Sequence, residues 1–294
     1  MPTPLPADVV AWRDAGESCQ LLGRTVFVRD MPSRSGVSGA PLVLVHGFPG
    51  SSFDWAGVVA RLAGTRRLLM LDLPGYGLSA KPKDGDYSLF RQADVVEALL
   101  AARGIDRCVL VAHDMGDTVT AELLARRNAG LPGPDFEQVV LTNGSIFIDQ
   151  AQLTRGQRLT LRLPARALPL ALPTAVLRRS LLESFAPQAP PPAGAIDALV
   201  ALVQHDRGGR ILPVLIRYIE ERRLHQERWT SGLVDHPAPL TLLWGELDPI
   251  AVVGMAHHLK SLRPDTLVRT FAELGHWPSI ESPDVIADEI SRLG

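Results

Sequence analysis

Short apolar runs, bounded by Gly, Pro or Asp, alternate along this chain with segments of helical periodicity. That alternation restricts the fold more than any other feature of the 294 residues. Runs rich in Val, Leu and Ile occur at 24–30, 41–47, 66–72, 108–114, 138–144, 240–245 and 266–273. From residue 41 onward most are nearly continuous, as strands covered on both faces must be. Helical patterns occupy 54–63, 88–103, 117–129, 252–262 and 283–293. Strand–helix alternation predicts an α/β fold, a mostly parallel sheet flanked by helices and joined by right-handed crossovers.

Between 145 and 236 the alternation stops. This stretch has helical periodicity at 195–204 and 211–224, a turn at "QAPPPAG", many arginines and no lysine. It predicts a helical cap inserted after the sixth strand, over the sheet edge where open α/β sheets bind ligands. The chain then divides into a first core part (1–144), the cap (145–236) and a second core part (237–294). Prolines 164, 169 and 173 interrupt any long amphipathic helix that would lie on a membrane.

Composition narrows the function classes. A net charge of −2 and the lack of any recognition signature give no case for nucleic acid. Cys19 and Cys108 read as reduced thiols in a chain long enough to fold without staples. There is no signal-peptide pattern and no apolar stretch of spanning length, so a cytoplasmic protein without stable membrane insertion is expected. No metal or cofactor motif stands out, a small-molecule substrate is the expected partner, and the oligomeric state is open.

The segment "VLVAHDMGDTVTAELL" carries the chemistry. Ala112-His113-Asp114-Met115-Gly116 fits small–x–nucleophile–x–small, a tight strand-to-helix elbow that lifts its central side chain to a helix N-terminus. Asp117 is the alternative ordinary cap of that helix. Asp248 follows the run at 240–245, and His276 follows the run at 266–273. The order Asp114, Asp248, His276 is nucleophile, acid, base, with all three at one sheet edge. The loop after 41–47 supplies a Gly-containing turn, so the backbone N–H groups of Phe48 and Met115 form the expected oxyanion hole. Phe48-Pro49 is a candidate cis bond, His46 a brace for the loop, and "DLPGYGLSAKP" a turn in which Gly75 and Gly77 take unusual dihedrals.

An aspartate at the elbow changes the reaction. Serine must lose a proton to attack, whereas a carboxylate is ionised near neutral pH and attacks an electrophilic carbon directly. The product is an ester of Asp114. The histidine is then required only to activate the water that hydrolyses it. Such a site suits sp³ carbon with a strained or good leaving group, an epoxide or a carbon–halogen bond.

These motifs resemble the α/β-hydrolase superfamily, on the epoxide hydrolase and haloalkane dehalogenase branch, through "HGFP", "DLPGYGLS", "HDMG" and "GHW". A closer likeness is to the mesoderm-specific transcript protein group, through "HGFPGSSFDW", "YSLFRQADVVEALL", "HDMGDTVTAELLAR", "NGSIF", "YIEERR" and "WGELDP". The resemblance implies the same roles for Asp114, Asp248 and His276. It also implies proton donors from the cap, usually two tyrosines. Here the cap holds only Tyr218, which shares a face with Ile211, Val214 and Leu215; His205 is the substitute candidate. Relatives that release halide place Trp after the nucleophile, where this chain has Met115, and often Asn where it has Phe48; Trp277 is the remaining N–H candidate. Relatives that bind a carboxylate place arginines beside the nucleophile, and Met115, Asp117 and Thr118 supply none. Epoxide hydrolysis is therefore the leading expectation. A haloalkane dehalogenase and a binding or regulatory protein with little turnover are the alternatives.

Overall fold

The computed structural model describes residues 4–34, 39–83, 85–163 and 173–293. Eight strands form one sheet: β1 (Glu17–Leu21), β2 (Arg24–Met31), β3 (Leu42–Val45), β4 (Leu68–Leu71), β5 (Arg107–His113), β6 (Asp135–Thr142), β7 (Leu240–Gly245) and β8 (Leu267–Phe271). Their spatial order is β1-β2-β4-β3-β5-β6-β7-β8. β2 pairs antiparallel with β1 and β4, and every other pairing is parallel.

The near-continuous apolar runs have a direct cause. Val43 and Val45 of β3 enter one hydrophobic cluster, whereas Leu42 and Leu44 enter the cluster on the opposite face. Successive side chains of a strand point to opposite faces, so a central strand covered on both sides has no polar position to spare. Each such Val or Leu contributes about 1.5–3 kcal/mol by leaving water.

β1 and the helix Ala7–Asp14 are not foreshadowed by the pattern. "ESCQL" is largely exposed at the sheet edge and has no apolar periodicity. Its signal lies in the turn: Leu22 and Gly23, with φ of 49° and 77°, make the two-residue hairpin connection to β2. With β1 counted, the long insertion does follow the sixth strand. The helical patterns elsewhere fall within a few residues of their predicted bounds, as at Leu89–Ala102 and Pro283–Ser291.

Among the described residues, 145–236 contains helices and no strand. Ala195–Gln204 matches its expected range. The pattern at 211–224 resolves into a short helix, Leu212–Leu215, and a long one, Tyr218–Asp235. Helices Arg155–Arg162 and Thr174–Leu182 have no counterpart in the sequence pattern. Pro164 and Pro169 lie outside the described residues, and Pro173 stands at the start of Thr174–Leu182. Glu122 fastens Tyr218–Asp235 to the core: it accepts hydrogen bonds from Arg228 (2.7 and 3.0 Å), Trp229 Nε1 (2.9 Å) and Arg126 (2.9 Å). No described helix is long and apolar enough to cross a membrane.

Candidate active site

β5 ends at His113, and the helix Met115–Asn128 begins two residues later, leaving Asp114 alone at the turn with φ 48° and ψ −110°. A non-glycine residue there is strained, a cost tolerated where geometry serves chemistry. The turn is possible because Gly116 lacks a side chain: a Cβ there would lie 2.7 Å from the carbonyl oxygens of both Val45 and His46. Asp117 is not the cap. It is fully buried inside the helix, where desolvation, then the charge of Asp114, holds its carboxyl protonated well above the usual range.

Asp114 Oδ2 accepts a 2.9 Å hydrogen bond from the Phe48 backbone N–H. Met115 contributes the first N–H of the helix beside it. The Phe48–Pro49 bond is cis. His46 braces this loop as expected: its Nε2 accepts from Leu73 N–H (2.9 Å), so its Nδ1–H donates to Gly47 C=O (2.9 Å). Gly75 and Gly77 take φ of 96° and 49° in the neighbouring turn.

His276 and Asp248 stand beside this elbow. His276 Nδ1 lies 2.8 Å from Asp248 Oδ2, which leaves Nε2 as the ring nitrogen with the lone pair. Asp248 is held by three further donors, Asn143 Nδ2 on Oδ2 (2.8 Å) and the N–H groups of Ile250 and Ala251 on Oδ1 (2.7 and 3.0 Å). Burial works against a charged imidazole, but the charge and hydrogen bond of Asp248 outweigh it and raise the His276 pKa above its ordinary value. His113 Nε2–H donates to the His276 carbonyl at 2.7 Å, tying His276 to the residue before the elbow. Burial, then His276, lowers the His113 pKa to about 4, so this ring is a neutral strut.

A cavity of about 60 Å³ reaches His276 between the core and the helical segment, with Phe48, Leu181, Ser184, Ile216 and Trp277 among its walls. Tyr218 is 3% exposed and packs against Phe48 with ring centroids 5.4 Å apart. It is not on that cavity wall. Burial, then Asp114, pushes its pKa up, with Arg222 opposing. No hydrogen bond engages its hydroxyl among the described residues. His205 is not brought here. It lies half-buried near Lys81 and Asp206 and does not stand in for a second cap tyrosine. Trp277 is also unavailable as a halide donor, because its Nε1 donates to Ser184 Oγ at 2.7 Å.

Two residues near the elbow escape sequence reasoning. Tyr76, within a motif that reads only as a turn, is buried and donates to the Met115 sulfur at 3.1 Å. Arg222 reaches across from the helical segment. Its side chain is 2% exposed, its Nε donates to Thr118 Oγ1 (2.8 Å), and its Nη2 donates to the Asp114 carbonyl (3.0 Å). The sequence does contain a signal, since Tyr218 and Arg222 are four apart on one helix and so share a face.

The alpha/beta hydrolase fold family matches residues 40–283. The chain belongs to it. A similar protein is "Putative hydrolase LipZ" of Mycobacterium tuberculosis, 37% identical over 96% of each chain. The mesoderm-specific transcript homolog protein of Bos taurus is 30% identical over 96% of this chain and 86% of its own length. Among solved structures, an esterase from Thermogutta terrifontis superposes with a TM-score of 0.70 at 17% identity, covering 95% of this chain and 97% of its own. A haloalkane dehalogenase variant from Bradyrhizobium elkanii superposes with a TM-score of 0.72 at 22% identity, covering 95% of each chain. At these identities the structural likeness speaks for the fold alone.

Proposed function

We propose that this α/β-hydrolase-fold protein hydrolyses small alkyl electrophiles through an ester of Asp114, with epoxides as its substrate class. One observation carries the reading: Asp114 places its own Oδ2 on the Phe48 N–H. A serine elbow would leave that donor to a substrate oxygen. Here it holds an oxygen of Asp114 itself, so in this reading Oδ1 is the atom that attacks carbon.

In the first step Oδ1 forms a bond to an epoxide carbon and the carbon–oxygen bond breaks. The departing electron pair stays on the ring oxygen, which takes a proton from Tyr218. In the second step His276 Nε2 takes a proton from water, and the hydroxide adds to Cγ of Asp114. The oxyanion forms on Oδ2, which the Phe48 and Met115 N–H groups stabilise. Collapse expels the alkoxide, which takes the proton from the His276 imidazolium to give the vicinal diol. The acid left on Asp114 gives its proton to the Tyr218 phenolate, restoring carboxylate and phenol; Asp248 stabilises the imidazolium formed on the way. The helices of 145–236 act as the cap that closes over this chemistry.

Halide release is the second reading, and Arg222 Nη1, which has no hydrogen-bond partner among the described residues, is the feature that favours it, although Met115 has no indole and the Trp277 indole N–H is taken by Ser184. A His276→Gln variant treated separately with a small epoxide and a bromoalkane distinguishes them. The expected result is a hydroxyalkyl adduct on the peptide containing Asp114. An adduct from the bromide alone moves the assignment to dehalogenation. An unmodified Asp114 with both overturns the ester mechanism.

A further inference from the structure

Arg222 is a buried cation whose surroundings suit the charge of the resting site and change when Asp114 reacts. Its Nε and Nη2 are satisfied by Thr118 and the Asp114 carbonyl. Its Nη1 has no hydrogen-bond partner among the described residues and lies 3.9 Å from Asp114 Oδ1. Its guanidinium carbon sits 4.7 Å from the centroid of the Tyr218 ring, and its side chain is 2% exposed. A cation so far from water needs a negative neighbour. Asp117 also faces it, but burial pushes the Asp117 pKa well above the usual range, and the ion-pair partner at 3.9 Å is Asp114.

Alkylation removes that neighbour, because an ester of Asp114 is neutral. The charge does not vanish. It moves to the leaving oxygen and, once that oxygen takes the phenolic proton, to Tyr218. Before the step there is a carboxylate beside Arg222, and after it a tyrosinate beneath the same guanidinium.

We propose that Arg222 is the fixed counter-cation for a charge that passes from Asp114 to Tyr218, and that it makes Tyr218 acidic enough to protonate the leaving oxygen once Asp114 is esterified. This rests on the alkyl-ester reading. Arg222 acts through Asp114 and Tyr218 and is a positioning residue for charge. The placement also explains why Nη1 is held just beyond hydrogen-bond distance of Oδ1. A direct bond there would tie up the attacking lone pair, whereas at 3.9 Å the charge is compensated and the oxygen stays free.

The first test needs no substrate. Asp114→Asn reproduces the neutral state of the ester. In that variant the tyrosine that disappears on adding Tyr218→Phe should ionise, by its ultraviolet absorption, about one to three pH units lower than in Asp114→Asn/Arg222→Met. Asp117 and Tyr76 are the other titratable groups facing the pair and are unchanged in both. Arg222→Lys, retaining charge, should recover part of the difference, and thermal melts establish that each variant is folded. Equal titration in the two backgrounds overturns the proposal, whatever the protein's substrate.

The second test uses His276→Gln with an aliphatic epoxide. Ester formation on Asp114 should be accompanied by tyrosinate absorption, and Arg222→Met should slow the step by about 10²–10³-fold. Alkylation at the parental rate in folded Arg222→Met also overturns it. Absence of any ester in His276→Gln itself refutes the ester reading instead, and the titration still decides whether Arg222 controls the acidity of Tyr218.

Discussion

Replacing Asp248 by Asn changes one atom and should nearly abolish turnover while leaving ester formation intact. Donors converge on the Asp248 carboxylate from both sides: Ile250 and Ala251 N–H on Oδ1, Asn143 Nδ2 and His276 Nδ1 on Oδ2. An amide must set its NH2 against one of these pairs. The backbone N–H groups cannot turn, so the amide oxygen goes to them and the NH2 faces Asn143 and His276. Asn143 is unable to flip in response, because Gly245 pins both ends of its amide. His276 relieves the clash by moving its proton to Nε2, which removes the lone pair that activates water. An orphaned buried donor at Asn143 costs about 1–3 kcal/mol of stability. The wrong tautomer costs about 10⁴-fold in the hydrolytic step, or about 5 kcal/mol at 1.36 kcal/mol per tenfold. Alkylation does not use His276, so the ester should accumulate within the first turnover. Rapid-quench intact mass with an epoxide reads both rates at once. Multiple turnover within tenfold of the parent, with no ester accumulating, would refute the tautomer argument.

Other expectations follow from the same geometry. His276 has a raised pKa, so hydrolysis of the ester should fail as pH drops through a value above 6.5, whereas alkylation should not share that limb; single-turnover rates across pH test this. Glu122→Ala should destabilise by about 2–3 kcal/mol in urea, short of a fully buried pair because Arg228 is 40% exposed. Burial opposes ionisation of Glu122, but its Arg228, Arg126 and Trp229 bonds lower its pKa, so its contribution is present above 4.5 and is lost as pH falls through the folded value. The variant's deficit should shrink in acid, and an equal deficit at pH 7 and pH 3 would contradict the charge pairing. Gly116→Ala should cost about 1–3 kcal/mol despite its better helix propensity, since the Cβ meets two backbone oxygens at 2.7 Å; an unchanged urea midpoint would mean that the elbow gives way.

What the sequence discloses depends on whether the cause is local. β3 and β5 are legible because burial on both faces leaves an unbroken apolar run. The elbow is legible because its steric demand falls on residues two positions away, and the order of Asp114, Asp248 and His276 follows from strand ends. β1 is not legible, since an exposed edge strand needs no apolar face and its hairpin turn is marked by Leu-Gly rather than a stronger turn pair. Arg222 and Tyr76 escape for another reason. Each is defined by what lies across the fold from it, and neither carries a mark in its own neighbourhood beyond helix spacing or a glycine-rich turn. His205 shows the reverse error, a polar residue in the right segment that packs toward Lys81 instead of Asp114.

The division of labour across the sheet edge bears on how such a chain changes over generations. Asp114, Asp248, His276 and the Phe48 amide sit on loops of the strand framework, whereas Tyr218 and Arg222 arrive from the helices between β6 and β7. Under the proposed ester mechanism, ester cleavage and protonation of the leaving atom therefore reside in separately mutable stretches of chain. On that mechanism, a lineage that rewrites residues 145–236 keeps the hydrolytic residues and needs only to discover a new way of receiving the leaving atom. Grafting that segment from a relative onto this framework is thus a route to new substrates that starts with half of the chemistry already in place.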